Sequence, residues 1–142
     1  MKNILFVCTG NTCRSPMAQG ICEKIAKDNN LNINVKSVGI STFSGLPVSE
    51  NAIAVCKEIG VDISDLRTTF IGDINLDDFD RIFVMTNSHK IQLLSAGVDS
   101  KKVSVLAEDT GGISDPYGGD LNIYRKCRDQ IYKGIENSIK EL

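Results

Sequence analysis

The chain has 142 residues, of which 42% are hydrophobic and 24% are charged, a composition typical of one globular domain spanning residues 1–142. Its formal net charge of −2 disfavours a nucleic-acid partner, which normally meets a basic surface. No apolar run reaches the roughly 20 residues of a membrane span, and the apolar run before Cys8 is too short for a signal peptide. We therefore expect a cytoplasmic protein without a membrane partner.

The cysteines do not fit a disulfide framework or a metal site. Their number is odd and their spacing uneven, so structural disulfides are not expected. No C-x2-C pair occurs and His89 is the only histidine, which disfavours a zinc site. We expect no metal and no cofactor, and at least one cysteine is a candidate for chemistry: Cys8, Cys13, Cys22, Cys56 or Cys127.

Short apolar runs alternate with amphipathic stretches along the chain, a pattern typical of a parallel sheet covered by helices. The runs predict strands at residues 3–7, 33–38, 81–85 and 102–106. Helices are predicted from Ser15 to about Asp28, from Ser49 to Gly60, over 87–95 and from Asp120 onward. This order predicts an α/β fold, a single doubly wound domain with a four-stranded parallel sheet and helices on both faces.

Two loops interrupt this alternation, and both follow predicted strands. Residues 8–15 come directly after the first strand, and the long loop 107–119 is rich in glycine and aspartate. The carboxyl ends of parallel strands meet at one edge of a sheet, where such folds place their binding sites. Residues of these two loops are therefore the first candidates for a functional site.

The first loop reads C-x5-R-S between a strand and a helix. Its backbone N–H groups can surround an anion, to which the helix N-terminus adds positive charge. Gly10 and Asn11 tolerate a left-handed backbone, and Arg14 offers a planar fork of donors for phosphate oxygens. The same positive surroundings should lower the pKa of the Cys8 thiol. The alternative is purely structural: Cys8 fills the end of the sheet and Ser15 caps the helix.

The stretch CTGNTCRSPMA resembles the signature of the low-molecular-weight protein-tyrosine phosphatases, usually CxGNxCRSP. Residues 36–39, 84–86 and 115–119 are similar to further segments of that family, so the resemblance covers the whole chain. It implies the same four-stranded doubly wound fold and a metal-free displacement at phosphorus. Cys8 would become a phosphocysteine, Arg14 would stabilise the equatorial oxygens, and Asp115 would protonate the leaving group.

The resemblance also implies supporting roles around Cys8. Asn11, Ser15 and Ser37 would hold the loop shape and stabilise the thiolate. The Asp-Pro pair at Asp115 is also a common turn, and Asp109 is a competing acid in the same loop. The residues expected to bind phosphate are Thr9, Gly10, Asn11, Thr12, Cys13 and Ser15.

Thr12 bears on the substrate, which we expect to be a phosphorylated protein. Tyrosine-directed members generally carry Ile or Leu at this place, whereas threonine is similar to the bacterial protein-arginine phosphatase branch. A hydroxyl suits a polar guanidino group, so we favour phosphoarginine over phosphotyrosine. The alternative is a neutral exchange, because Thr and Ile are both β-branched and nearly isosteric. Phe43 and Tyr117 are expected as pocket walls beside the phosphate cradle, and core packing is the alternative for Phe43.

Cys13 is a candidate for redox regulation. In family members with this second cysteine, a reversible disulfide between positions 8 and 13 protects the nucleophile from further oxidation. The alternative is that Cys13 is a small packed residue. We expect a monomer, and we expect His89 to have a surface or capping role.

Two rival functions share the same cradle. A thiol-based arsenate reductase needs further cysteines after the third strand, and residues 80–100 contain none. A phosphoryl-carrier or phosphate-binding module would keep the loop without turnover, which Arg14 and Asp115 argue against.

Overall fold

Four parallel strands form one sheet in the computed structural model, which describes residues 1–140. The strands are β1 (Lys2–Cys8), β2 (Ile33–Gly39), β3 (Arg81–Val84) and β4 (Val103–Val105). The α-helices are α1 (Arg14–Asp28), α2 (Glu50–Lys57), α3 (Asn87–Ser95) and α4 (Leu121–Ile139). The sheet order is β2-β1-β3-β4, so the predicted doubly wound α/β fold is confirmed.

The register places Cys8 at the carboxyl end of the central strand β1. β1 pairs with β2 from Lys2↔Ile33 to Cys8↔Gly39, and with β3 from Ile4↔Arg81 to Val7↔Val84. Because all pairings are parallel, the loops after β1, β2, β3 and β4 leave the sheet at the same edge. Cys8 and both predicted functional loops therefore lie on one side of the molecule.

Successive side chains of β1 enter two separate cores, as the period of a strand requires. Ile4 and Phe6 pack into a core that also contains buried residues of α1, α2 and α4. Leu5 and Val7 pack into a second core with Leu93 of α3. Helices therefore cover both faces, and β1 is buried between them, which holds its carboxyl end rigidly.

The helix ends differ from the sequence prediction at several points. α1 begins at Arg14, with Cys13 at the N-cap position, and the hydroxyl of Ser15 makes no cap because it contacts Cys8 instead. α2 ends at Lys57, before the turn that contains Gly60. The predicted cap at Asp120 is confirmed, since its carboxylate accepts the Ile123 N–H at 3.0 Å.

Within residues 1–140, no helix combines the length and the apolar character that crossing a bilayer demands.

Candidate active site

The Cys8 sulfur lies at the bottom of the loop that connects β1 to α1. The Ser15 hydroxyl oxygen is 2.9 Å from Cys8 Sγ, and the backbone N–H of Asn11 donates to the same sulfur at 3.2 Å. The loop turns at Asn11, which adopts a left-handed conformation with φ of 55°. Gly10 does not take a positive φ, so of the two residues predicted to allow the left-handed turn only Asn11 does so.

Two opposing influences act on the Cys8 thiol. Burial raises its pKa above the ordinary value of a cysteine, because a thiolate loses its hydration there. The Ser15 hydroxyl, the Arg14 guanidinium and the Asn11 N–H act in the opposite direction. The sequence predicted a lowered pKa, which was wrong, because burial outweighs the donors that surround the sulfur.

Asn11 connects the loop to three other parts of the fold. Its amide nitrogen donates to the hydroxyls of Ser15 at 2.7 Å and Ser37 at 3.0 Å. Its amide oxygen accepts the backbone N–H of Thr69 at 2.8 Å, and Ser37 donates onward to Gln19 at 2.9 Å. Asn11, Ser15 and Ser37 are all buried, so these bonds hold the loop with little competition from water. Thr69 and Gln19 were not among the predicted residues.

Gly39, the last residue of β2, is required by the close approach of the loop. A Cβ at this position would lie 2.8 Å from the carbonyl oxygen of Thr9 and 2.9 Å from the backbone nitrogen of Asn11. Any side chain larger than hydrogen would therefore displace the loop backbone.

Arg14 reaches from α1 to the loop after β4. Its guanidinium is almost completely buried and donates through Nη1 to the carbonyl oxygen of Ile113 at 2.9 Å. Nη2 lies 3.9 Å from a carboxylate oxygen of Asp115. The Ile113 N–H donates at 2.7 Å to the carbonyl oxygen of Met85, the residue after β3. Arg14 and the end of β3 therefore hold the base of this loop together.

An open cavity of about 190 Å³ joins the two loops. Asp115 lines it with a carboxylate that is about half exposed, whereas Asp109 lies in a separate surface pocket beside α4. Tyr117 is 81% exposed at the rim. Phe43 is 80% exposed and does not line the cavity, so the structure does not place it as the expected wall. The lining residues are Cys8, Thr9, Gly10, Thr12, Cys13, Arg14, Asp115 and Tyr117.

Cys13 is buried at the start of α1 with its thiol in contact with two hydroxyls. Its sulfur lies 3.3 Å from the Tyr124 hydroxyl and 3.7 Å from Thr12 Oγ1. Ser49 donates to the same Tyr124 hydroxyl at 3.3 Å. Burial and the Cys13 contact raise the pKa of Tyr124 to about 12, so this phenol stays protonated. All five cysteines are free thiols, Cys13 among them.

His89 is the residue whose position sequence reasoning missed. It was expected at the surface or as a cap, but its side chain is only 4% exposed. Nε2 lies 2.9 Å from Thr9 Oγ1 and Nδ1 lies 3.0 Å from Thr86 Oγ1. The helix cap is Thr86, whose hydroxyl accepts the His89 backbone N–H at 3.3 Å. The only available signal was the Thr-x-x-His spacing at the start of α3.

The imidazole of His89 is expected to remain neutral well into the acid range. Burial, with a smaller contribution from Arg14, lowers its pKa to about 4 from 6.5, and Asp115 opposes this shift. Because the unfolded chain binds this proton more readily, stability should fall as pH drops from about 6.5 towards about 4. His89 is the only histidine, so an NMR titration of its Cε1–H gives the pKa directly. A midpoint near the ordinary value for histidine would contradict this environment.

Known proteins are similar to this chain over almost its whole length. The family model described as low molecular weight phosphotyrosine protein phosphatase matches residues 3–142. A protein-arginine-phosphatase of Bacillus subtilis (strain 168) is 32% identical over 145 residues, which cover 99% of this chain and 96% of that relative. An arsenate reductase of Staphylococcus aureus (strain Newman) is 32% identical over 136 residues, covering 96% of this chain and 95% of the relative.

Solved structures of phosphatases are similar to this chain over almost its whole length. The crystal structure of a low molecular weight protein tyrosine phosphatase from T. tengcongensis has a TM-score of 0.94 at 37% identity and covers 100% of both chains. A YwlE arginine phosphatase variant, in which a serine replaces a cysteine and the active-site serine is phosphorylated, has a TM-score of 0.91 at 31% identity. That alignment covers 99% of this chain and 95% of the variant.

Proposed function

Because the chain belongs to the low molecular weight phosphotyrosine protein phosphatase family, and is thus an enzyme of the protein phosphatase class, we propose that it hydrolyses phosphorylated proteins through a phosphocysteine at Cys8. The observation that carries this proposal is the position of Cys8 Sγ. Cys8 lines a cavity together with Arg14 and Asp115, and its sulfur accepts the backbone N–H of Asn11.

In the first step the Cys8 thiolate attacks phosphorus opposite the leaving group. The S–P bond forms, the bond from phosphorus to the leaving atom breaks, and the electron pair of that bond stays on the leaving atom. Asp115 donates a proton to this atom as a general acid. The backbone N–H groups of the loop and the guanidinium of Arg14 stabilise the charge on the three equatorial oxygens.

In the second step water attacks the phosphocysteine. The carboxylate of Asp115 accepts a proton from the water, the S–P bond breaks with its electrons on sulfur, and inorganic phosphate leaves. Asp115 is suited to both roles because its carboxyl group is about half exposed and lies in the same cavity as Cys8. The scheme uses no metal and no cofactor.

The attacking species is the thiolate, so the burial of Cys8 has to be offset when the charge forms. The Ser15 hydroxyl and the Asn11 N–H are already within hydrogen-bond distance of the sulfur. α1 begins at Arg14, so its positive N-terminal end adjoins the cradle. These groups need no rearrangement to stabilise a negative sulfur, so they oppose the effect of burial before the phosphoryl group binds.

The substrate that we favour is phosphoarginine on a protein. Thr12 lines the cavity, and its hydroxyl can pair with a guanidino N–H, for which a phenyl ring offers no counterpart. The relative from Bacillus subtilis, itself described as a protein-arginine-phosphatase, supports the same choice. Phosphotyrosine is the alternative, supported by the phosphatase structure from T. tengcongensis.

Replacing Thr12 with valine tests this choice, because valine keeps the β-branched shape and removes only the hydroxyl. We expect kcat/KM to fall about 10-fold on phosphoarginine, the usual size of one lost hydrogen bond. On phosphotyrosine it should stay level or rise. Both substrates are to be presented in the same protein or peptide context, with phosphoserine as a third substrate. A wild-type preference for phosphotyrosine, or an equal loss on both substrates, would retire the arginine assignment.

A reversible disulfide between Cys8 and Cys13 is proposed as protection of the nucleophile. Both residues line the same cavity, and Cys13 is the thiol nearest to Cys8 in the chain. Peroxide would oxidise the Cys8 thiolate to a sulfenic acid, and Cys13 would displace water to form the disulfide. We expect a crosslinked peptide after mild peroxide treatment and recovery of activity with a thiol. Replacing Cys13 with serine should make the peroxide loss irreversible; unchanged recovery would exclude this role.

Thiol-dependent arsenate reduction is a second candidate function, supported by the Staphylococcus aureus relative. It stays the weaker candidate, since no cysteine lies between residues 80 and 100 to relay a disulfide. Thiol-dependent reduction of arsenate, assayed beside phosphate release, separates the two. A monomeric state and a cytoplasmic location stay predictions.

A further inference from the structure

His89 joins the loop after β1 to the start of α3. It lies in the first turn of α3, and its two ring nitrogens contact the hydroxyls of Thr9 and Thr86. A neutral imidazole has one donor and one acceptor nitrogen, and a threonine hydroxyl can fill either role. The buried ring therefore satisfies both nitrogens in a continuous chain from Thr9 through His89 to Thr86.

Thr9 is the residue through which this chain reaches the chemistry. It follows Cys8 directly and lines the cavity. Its carbonyl oxygen accepts the N–H of Ser41 at 2.9 Å, so β2 and its following loop hold the backbone from one side. His89 holds the side chain from the other side, at 2.9 Å. The rest of the loop is held by the hydrogen bonds of Asn11 to Ser15, Ser37 and Thr69.

We propose that His89 is a positioning residue for the phosphate-binding loop: through its Nε2 contact with Thr9 it holds the first turn of the loop in the geometry that binds phosphate. This inference rests on the proposed function. Small displacements of such a cradle weaken every N–H contact with the phosphoryl group at once, so the loss should exceed that of one ordinary hydrogen bond. The ring acts as a fixed support and does not touch the substrate.

Two substitutions of His89 separate this role from a local one at the start of α3. In His89→Gln the side-chain amide can reach the place of Nε2 and the Thr9 hydroxyl. In His89→Asn the shorter amide can reach only the place of Nδ1 and Thr86. The backbone bond from His89 to Thr86, which caps α3, is available to both variants. The pair therefore differs in the contact that the inference invokes.

The primary readout is the dissociation constant of orthovanadate, measured together with kcat and KM. We expect His89→Asn to weaken vanadate and lower kcat/KM by about 10- to 100-fold, mainly through kcat, and His89→Gln to stay within about threefold of wild type. Thr9→Val should reproduce the loss, and adding His89→Asn to it should have little further effect, as expected for one shared contact.

Three results would overturn the inference: wild-type vanadate affinity in His89→Asn, equal losses in the Asn and Gln variants, or additive losses with Thr9→Val. Thermal melts of each variant identify a loss that only follows unfolding. Thr9→Val then tests the contact without changing the histidine. If the wild-type enzyme binds vanadate but releases no phosphate, the proposed function fails, whereas the vanadate comparison still decides the role of His89.

Discussion

Replacing Cys8 with serine is expected to lower steady-state phosphate release by on the order of 10⁴-fold or more. The substitution changes one atom at the floor of the cavity and leaves the loop N–H groups and Arg14 in place. A serine hydroxyl ionises far less readily than a thiol and is a poorer leaving group in the second step. Binding of inorganic phosphate should be retained within about 10-fold, because the donors that hold the anion are unchanged.

The matched control is Cys56→Ala, which removes a buried thiol from α2 far from the cavity. It should release phosphate at a rate close to that of wild type. Substantial turnover in the Cys8→Ser variant would mean that the sulfur is not the nucleophile. Loss of phosphate binding together with turnover would instead indicate a collapsed loop, and a melting curve would show this.

Replacing Asp115 with asparagine is expected to lower kcat by about 10²- to 10³-fold on phosphoarginine or phosphotyrosine. Asparagine has nearly the same shape and can still accept the Tyr117 N–H that Asp115 accepts at 3.0 Å. It cannot donate a carboxylic proton to the leaving group. With p-nitrophenyl phosphate the loss should be smaller, because its leaving group needs less protonation.

The control for this substitution is Asp109→Asn in the same loop between β4 and α4. Asp109 lies outside the cavity, so kcat should change by less than about twofold. An equal loss on good and poor leaving groups would show that Asp115 acts through loop structure or binding. A loss of kcat in Asp109→Asn as large as that in Asp115→Asn would mean that Asp115 is not the specific general acid.

The fold could be predicted from the sequence because its local signals agree. Within β1 the run from Ile4 to Val7 is apolar throughout, as a strand buried on both faces requires, and all four residues are buried. The C-x5-R-S spacing between this strand and α1 placed Cys8 and Arg14 in one cavity. The choice of Asp115 as the acid came from the family resemblance, since an Asp-Pro turn alone carries no such information.

The remaining features depend on contacts between distant segments. The contact of the Ser15 hydroxyl with Cys8 was expected, but its bond to the carbonyl oxygen of Val38 was not, because this bond needs β1 and β2 side by side. His89 looks like a surface residue because its partner Thr9 lies 80 positions away in the chain. That pair forms only when β1 and β3 become neighbours.

The pKa of Cys8 could not be predicted for a related reason. Sequence reasoning identifies the positive groups of the loop, which lower the pKa, but it does not give the depth at which the sulfur is buried. That depth raises the pKa of the thiol and outweighs the donors that surround it.

A rapid acid quench of the wild-type enzyme during turnover of a phosphoarginine protein, followed by mass spectrometry of the peptide that contains Cys8, tests the central claim most directly. We predict that a phosphoryl group is found on the Cys8 sulfur and disappears at the rate at which phosphate is released. Fragment ions distinguish Cys8 from Cys13 in the same peptide. An enzyme that releases phosphate without any phosphoryl group on Cys8 would contradict the account.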